Sequence, residues 1–278
     1  MYKKGDFHLH TNESDGKLSP RQLVNLAKEN QIDIMAVTDH DTTKGVQNAI
    51  DEGKKQGIRV IPGIELSTLH EGESIHILAY FKDESFRKTS FQNFLEEMTN
   101  YRVKRAIKIV ENLDKFFNIK VDYKKMLDNA EGVVARPHIA RAIIDAGYPY
   151  TIDYIFKHII HSESPAYIPN KKLGIAEGIE FLRSVNSVIV LAHPVLIRKS
   201  NVEDLMKFDF DGIEAIYGLN SPQDTERLVN LANKYNKLIT AGSDFHNDDA
   251  DDTKHGTIGC VSLDQDGISK FLNIYESK

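Results

Sequence analysis

One cysteine stands among 278 residues. A single thiol closes no internal disulfide and builds no thiolate zinc cluster. Cys260 reads as a small buried apolar residue rather than a nucleophile, because nothing near it in sequence suggests an activating base. With no disulfide to maintain, a reducing cytoplasm is the expected compartment. Long apolar runs are missing too: none approaches the ~20 residues that a membrane-spanning helix needs. Asp6, His8 and His10 fall where the apolar region of a secretory leader would lie, so no leader is expected. Positive charge is also short, with a formal net charge of -6. A protein that grips long nucleic acid through its phosphates usually carries a basic surface. The deficit argues against a duplex DNA footprint and leaves a short or small anionic substrate open.

What is present is ordinary in bulk. Hydrophobic residues make up 41% and charged residues 27%, enough for a sizeable core. There is no internal repeat and no low-complexity tract. The stretch that organises the rest is Asp6-Phe7-His8-Leu9-His10. Two histidines one residue apart in a strand point to the same face. Both imidazoles can then reach one point, and neutral imidazole is the commonest metal ligand.

Strands are expected at 5–10, 32–38, 59–64, 74–81, 187–192, 212–215 and 238–242. Helices are expected between most of them, at 20–30, 43–56, 174–184, 202–208, 222–235 and 267–275. Ser19-Pro20 supplies an N-cap followed by Pro at the first helical position. Residues 84–169 break the alternation. They hold four helical patterns (91–113, 122–129, 136–146 and 151–161) and no convincing buried strand. The reading is an α/β chain: a seven-stranded (β/α) barrel over residues 1–83 and 170–278, interrupted after the fourth strand. The interruption, residues 84–169, is a helical insertion of about 85 residues, large enough for a small cap domain.

In such barrels catalytic groups collect at the C-terminal strand ends. The polar residues near those ends are His8, His10, Asp15, His40, Glu65, His76, His193, Asp244 and His246. Each has a plainer reading: a surface strand residue, a turn former for Asp15, a helix cap for His40, a satisfied core histidine for His76. Together they make six histidines and three carboxylates on one mouth, if parallel strands line the barrel. Nitrogen and oxygen donors without thiolates suit zinc, manganese or iron. Nine ligands, with one carboxylate bridging, suffice for three ions.

The motifs Phe7-His8-Leu9-His10-Thr11, Thr38-Asp39-His40-Asp41, Gly63-Ile64-Glu65, His76, Leu191-Ala192-His193-Pro194 and Gly242-Ser243-Asp244-Phe245-His246 resemble those of the polymerase and histidinol phosphatase (PHP) family, in the family's order. The resemblance implies a distorted seven-stranded barrel with a trinuclear metal centre. It assigns His8, His10, Glu65 and Asp244 to a first ion. Glu65 would bridge to a second, completed by His76 and His193, and Asp15, His40 and His246 would hold a third. Many members carry histidine in place of Asp15, so the metal preference of the third site can differ. Manganese is the expected metal, with zinc or iron as alternatives. Asp15, the insertion and Arg136-Pro137-His138 resemble a subgroup that hydrolyses nucleoside 3′,5′-bisphosphates, some of whose members also trim short RNA from the 5′ end.

Three divalent ions against three carboxylates leave a nominal charge of about +3 in the pocket, which binds phosphate and makes hydroxide from water near neutral pH. The expected chemistry is in-line attack on phosphorus by a hydroxide bridging the first two ions. Arg136 is the candidate phosphate fork, since guanidinium matches phosphate oxygens bidentately and anions are favoured at a helix N-terminus. His138 is a second candidate contact, and no general acid is assigned. Lys171, Lys172 and Arg198 are weaker rim candidates, and the run Asp248-Asp249-Asp251-Asp252 reads as a solvated loop. His70, His158, His161 and His255 match no motif and read as non-ligands. The leading function is a phosphoesterase removing a phosphate from a small nucleotide. The alternatives are a 5′-3′ exoribonuclease on short RNA, a histidinol-phosphate phosphatase, and a non-catalytic barrel. The last would have to bury nine costly polar groups for no purpose.

Overall fold

The structure, a computed structural model, describes residues 2–129, 134, 136–169, 173–247 and 255–277. It divides into two compact units, Met1–Gln92 with Lys172–Lys278 and Asn93–Lys171.

The first unit is built on one seven-stranded sheet in sequence order. Gly5–Asp6 (β1), Ile34–Val37 (β2) and Arg59–His70 (β3) pair in parallel. Glu73–Phe81 (β4) runs antiparallel to β3 and to Ser187–Leu191 (β5). Gly212–Tyr217 (β6) and Leu238–Gly242 (β7) continue in parallel. The seam between β1 and β7 is laced by Phe7 N–H donating to Ala241 O at 2.9 Å, Asp244 N–H to His8 O at 2.9 Å and His10 N–H to Phe245 O at 3.0 Å. The sheet is therefore a nearly closed barrel.

Between the strands lie Pro20–Glu29 (α1) and Val46–Gln56 (α2), then Thr89–Phe117 (α3), which runs on into the second unit. Helix α1 begins with the capping box foreseen at Ser19, reciprocated by Gln22. The second unit holds Tyr123–Asn129 (α4), Arg136–Asp145 (α5) and Ile152–Tyr154 (α6). Its own core gathers Ile109, Leu113, Ile139, Ile143 and Ile155. Back in the first unit come Ile175–Arg183 (α7), Val202–Leu205 (α8), Pro222–Lys234 (α9) and Gln265–Tyr275 (α10).

Two expectations about the strands need correction. The barrel is not parallel throughout. Glu71 and Gly72, both at positive φ (49° and 81°), make the two-residue turn that forces β4 back against β3. His76 thus lies early in β4, paired with Ser67 beyond Glu65, rather than at a C-terminal strand end. Strand β3 is also twice the expected length, with Glu65 mid-strand. The second correction concerns β1, which ends at Asp6, so His8 and His10 lie beyond its ladder. Their backbone is held from both sides instead, by the β7 seam and by Thr38, whose N–H donates to Leu9 O.

The barrel is filled by Phe7, Ile34, Ala36, Ile61, Leu78, Tyr80, Val188, Val190 and Phe271. This apolar plug closes the barrel below the mouth, and Tyr80 donates its hydroxyl to Phe7 O at 3.0 Å. Among the described residues no helix is long and apolar enough to cross a membrane. Cys260, read as buried, is exposed. It sits in the irregular stretch before α10, outside the ladders that would cover it. Desolvation, with Asp6 nearby, pushes its thiol up, the opposite of an activated nucleophile.

Candidate metal centre

The structure brings the nine expected side chains together at one end of the barrel. His8 Nε2 lies 3.1 Å from His10 Nε2, 3.2 Å from Glu65 Oε2 and 3.3 Å from Asp244 Oδ1. His10 Nε2 lies 3.2 Å from the same Glu65 oxygen and 3.1 Å from the same Asp244 oxygen. Ligands at about 2.0–2.2 Å from one ion at tetrahedral angles stand roughly 3.3–3.6 Å apart. These four atoms are spaced almost as such a shell.

Glu65 faces two ways. Its Oε2 looks toward His8, His10 and His40 Nδ1, the last at 3.1 Å. Its Oε1 lies 2.8 Å from both His76 Nδ1 and His193 Nε2. A third group surrounds Asp15, with His246 Nε2 at 3.2 Å, His10 Nδ1 at 3.6 Å and His40 Nε2 at 3.8 Å.

Three buried atoms of this cluster, His10 Nδ1, Asp15 Oδ1 and His40 Nδ1, make no hydrogen bond among the described residues, although carboxylate or imidazole neighbours lie within 4 Å. Buried polar atoms without partners are costly. Their crowding without hydrogen-bond alignment is what a coordination shell looks like, so the residues fit divalent ions bound by nitrogen and oxygen.

Electrostatics agree. Burial alone would push the carboxylates up, yet the neighbouring imidazoles hold all three well below the usual range: His40 and His8 for Glu65, His8 and His10 for Asp244, His246 and His40 for Asp15. Burial opposes protonation of His10, but hydrogen bonds with Asp244 and Glu65 lift it to about 10. His8 rises well above its ordinary value against the same desolvation, through Glu214, Asp244 and Glu65. For His40 burial wins over Glu65 and Asp15, and its pKa falls to about 4.

Several residues of the site escaped the sequence reading. Asp39, fully buried, accepts from Thr11 N at 2.7 Å, Thr11 Oγ1 at 2.7 Å and Ser14 Oγ at 2.6 Å, pinning the loop that carries Asp15. Asp6 binds Ser243 N at 3.0 Å and Ser243 Oγ at 2.6 Å, beside Asp244. Glu214 and Tyr217 stand behind His8 and Asp244. A charged residue inside the apolar run Gly-Ile-Glu-Ala-Ile was the available signal for Glu214. His255, read as a non-ligand, stacks on His246 with ring centroids 3.8 Å apart and joins Asp244 and His246 in a group able to hold a metal. No motif marks it.

The expected phosphate contacts lie in the second unit. Arg136 opens α5 and places its guanidinium 5.7 Å from the Phe156 ring centre and 5.9 Å from that of Tyr167. Arg105 approaches the same Tyr167 ring at 5.6 Å, and its Nε donates to Ile168 O at 2.6 Å. Desolvation and the nearby positive charge of Arg136 lower the Arg105 pKa. His138 is half-buried on the first turn of α5. Lys171, Lys172 and the acidic run at 248–252 lie outside the described residues. Arg198 uses its backbone N–H, which donates to Glu73 Oε1 at 2.6 Å.

The PHP domain model matches residues 6–161. The chain belongs to the PHP family. It is 32% identical over 250 residues to the 5′-3′ exoribonuclease Rnm of Salmonella typhimurium, covering 87% of this chain and 84% of that protein. It is 24% identical over 250 residues to the 3′,5′-nucleoside bisphosphate phosphatase of Chromobacterium violaceum, covering 87% and 86%. Among solved structures, a candidate metal-dependent phosphoesterase from Bifidobacterium adolescentis superposes with a TM-score of 0.82 at 26% identity, covering 97% of this chain and 96% of that one. This PHP protein is a metal-dependent phosphoesterase, a hydrolase of phosphoester bonds.

Proposed function

We propose that this phosphoesterase removes a phosphate from a small phosphorylated nucleotide, with a nucleoside 3′,5′-bisphosphate as substrate. Three divalent ions, manganese first among the candidates, would be held by His8, His10, Asp15, His40, Glu65, His76, His193, Asp244 and His246. The observation that carries the reading is Glu65, whose two oxygens face two separate imidazole groups. Bound there, divalent ions supply Lewis acidity and ionise water near neutral pH.

The chain's own groups do the rest. Glu65 would contribute one oxygen to each of two ion sites, and Asp15 and Asp244 would offset part of the ions' positive charge. Arg136 and His138 bind a substrate phosphate. Arg136 and Arg105 both approach the Tyr167 ring, at 5.9 and 5.6 Å, and, beside desolvation, the charge of Arg136 lowers the Arg105 pKa, a repulsion that an anion relieves. The aromatic neighbours suit a nucleotide better than a simple phosphate ester.

A second reading, 5′-3′ exoribonuclease on short RNA, is favoured by the similarity to the Salmonella enzyme. One assay separates them. Manganese-loaded protein is offered adenosine 3′,5′-bisphosphate, histidinol phosphate and a 5′-phosphorylated RNA trinucleotide, with His193→Ala as control. Phosphate release from the bisphosphate, lost in the variant, is the expected result. Mononucleotides from the RNA would establish the exonuclease. Silence on all three with metal bound would refute the substrate class.

A further inference from the structure

Strand β6 supplies none of the nine expected ligands, yet two of its side chains end among them. Glu214 is fully buried. His8 Nδ1 lies 3.0 and 3.2 Å from its two oxygens, and His193 N–H donates to Oε2 at 2.7 Å. Tyr217 donates its hydroxyl to Asp244 Oδ2 at 2.9 Å. In a regular strand residues three apart face opposite sides. Here the register slips between Glu214 and Ile216, leaving Ala215 as the extra residue, and the bulge turns both side chains to the same side. Space is cleared for the pair as well: a Cβ at Gly242 would overlap His8 Cβ and Glu214 Oε1.

We infer that Glu214 and Tyr217 are positioning residues that set the coordinating atoms of the metal centre from behind. The inference rests on the metal-centre reading above. Glu214 accepts a hydrogen bond from His8 Nδ1–H, which fixes the tautomer that leaves the Nε2 lone pair facing His10, Glu65 and Asp244. The same carboxylate ties down the backbone of His193, a non-glycine residue at φ 26°. Tyr217 occupies one oxygen of Asp244, itself at φ 55°, so that Oδ1 alone is presented to His8 and His10. The bulge thus serves two ligands, His193 and Asp244, held at positive φ, a backbone that non-glycine residues adopt uncommonly.

The test compares wild type, Glu214→Gln and Tyr217→Phe by zinc and manganese affinity, measured against a competing chelator. A glutamine can still accept from His193 N–H, but its amide nitrogen cannot accept the Nδ1 proton. Glu214→Gln should weaken the tightest site by about 10–100-fold, with turnover restored by excess metal. Tyr217→Phe should weaken it less. In the zinc-loaded wild type, ¹⁵N spectra should show His8 with its proton on Nδ1, a readout that does not depend on any variant folding. Wild-type affinity in both variants, or an Nε2-protonated His8 in the zinc-loaded wild type, would overturn the inference. A wild-type protein that binds no metal would instead sink the metal-centre reading, and this inference with it.

Discussion

The two units collect opposite chemistry. The barrel unit gathers six imidazoles and three carboxylates at its mouth, with acceptor atoms crowded at 2.8–3.8 Å. The helical unit gathers guanidinium groups among aromatic rings, with Arg105 and Arg136 sharing Tyr167. The donors of the first arrangement suit a cation, and the charge of the second suits an anion. The difference teaches that the two units carry chemically distinct side-chain sets, so each is open to its own test.

The largest effect should come from the barrel. Glu65→Gln leaves the side-chain shape but removes the charge that two imidazole groups share. Hydrolysis should fall by about 10³-fold, or ~4 kcal/mol of barrier, together with metal content measured by mass spectrometry. A variant that keeps its rate within tenfold would break the assignment of this unit to metal chemistry.

A second effect distinguishes protons from ions in the same cluster. In the metal-free protein His10 is raised to about 10, so its contribution to stability is complete below its unfolded value of 6.5. That contribution is lost as pH rises through the folded value. His8 and His193 act in the same direction. Thermal midpoints of chelated protein should therefore fall between pH 6.5 and about 10. Metal-loaded protein should hold steady over that window, because its imidazoles are already deprotonated. Parallel curves for the two forms would show that no ion replaces these protons.

Much of this was legible before any coordinates. Strand β7 falls at the expected residues 238–242, and α1 begins at its Ser19 cap. Local rules decide such features: apolar period, capping chemistry, proline at the first turn. The reversal of β4 was less visible, although Glu71-Gly72 carries the turn signal, because strand direction is a property of the pair rather than of the segment. The Ala215 bulge could not be read at all. It depends on the register of β6 against β7, and with it went the roles of Glu214 and Tyr217. His255 carries no motif, and its stacking on His246 is a tertiary contact that no local pattern announces.

The smallest effect belongs to the helical unit. Arg136→Ala removes one guanidinium from the pair around Tyr167 and leaves every barrel residue in place. KM for the bisphosphate should rise about tenfold, ~1.4 kcal/mol, with metal content unchanged and kcat altered far less. Arg136→Lys should recover only part of the loss, because an ammonium keeps the charge but not the planar fork. The ratio of the two variants measures how much of the recognition is geometric. Equal KM in Arg136→Lys and wild type would reduce the residue to a point charge. An unchanged KM in Arg136→Ala would remove the helical unit from phosphate recognition and leave the barrel mouth to bind the substrate alone.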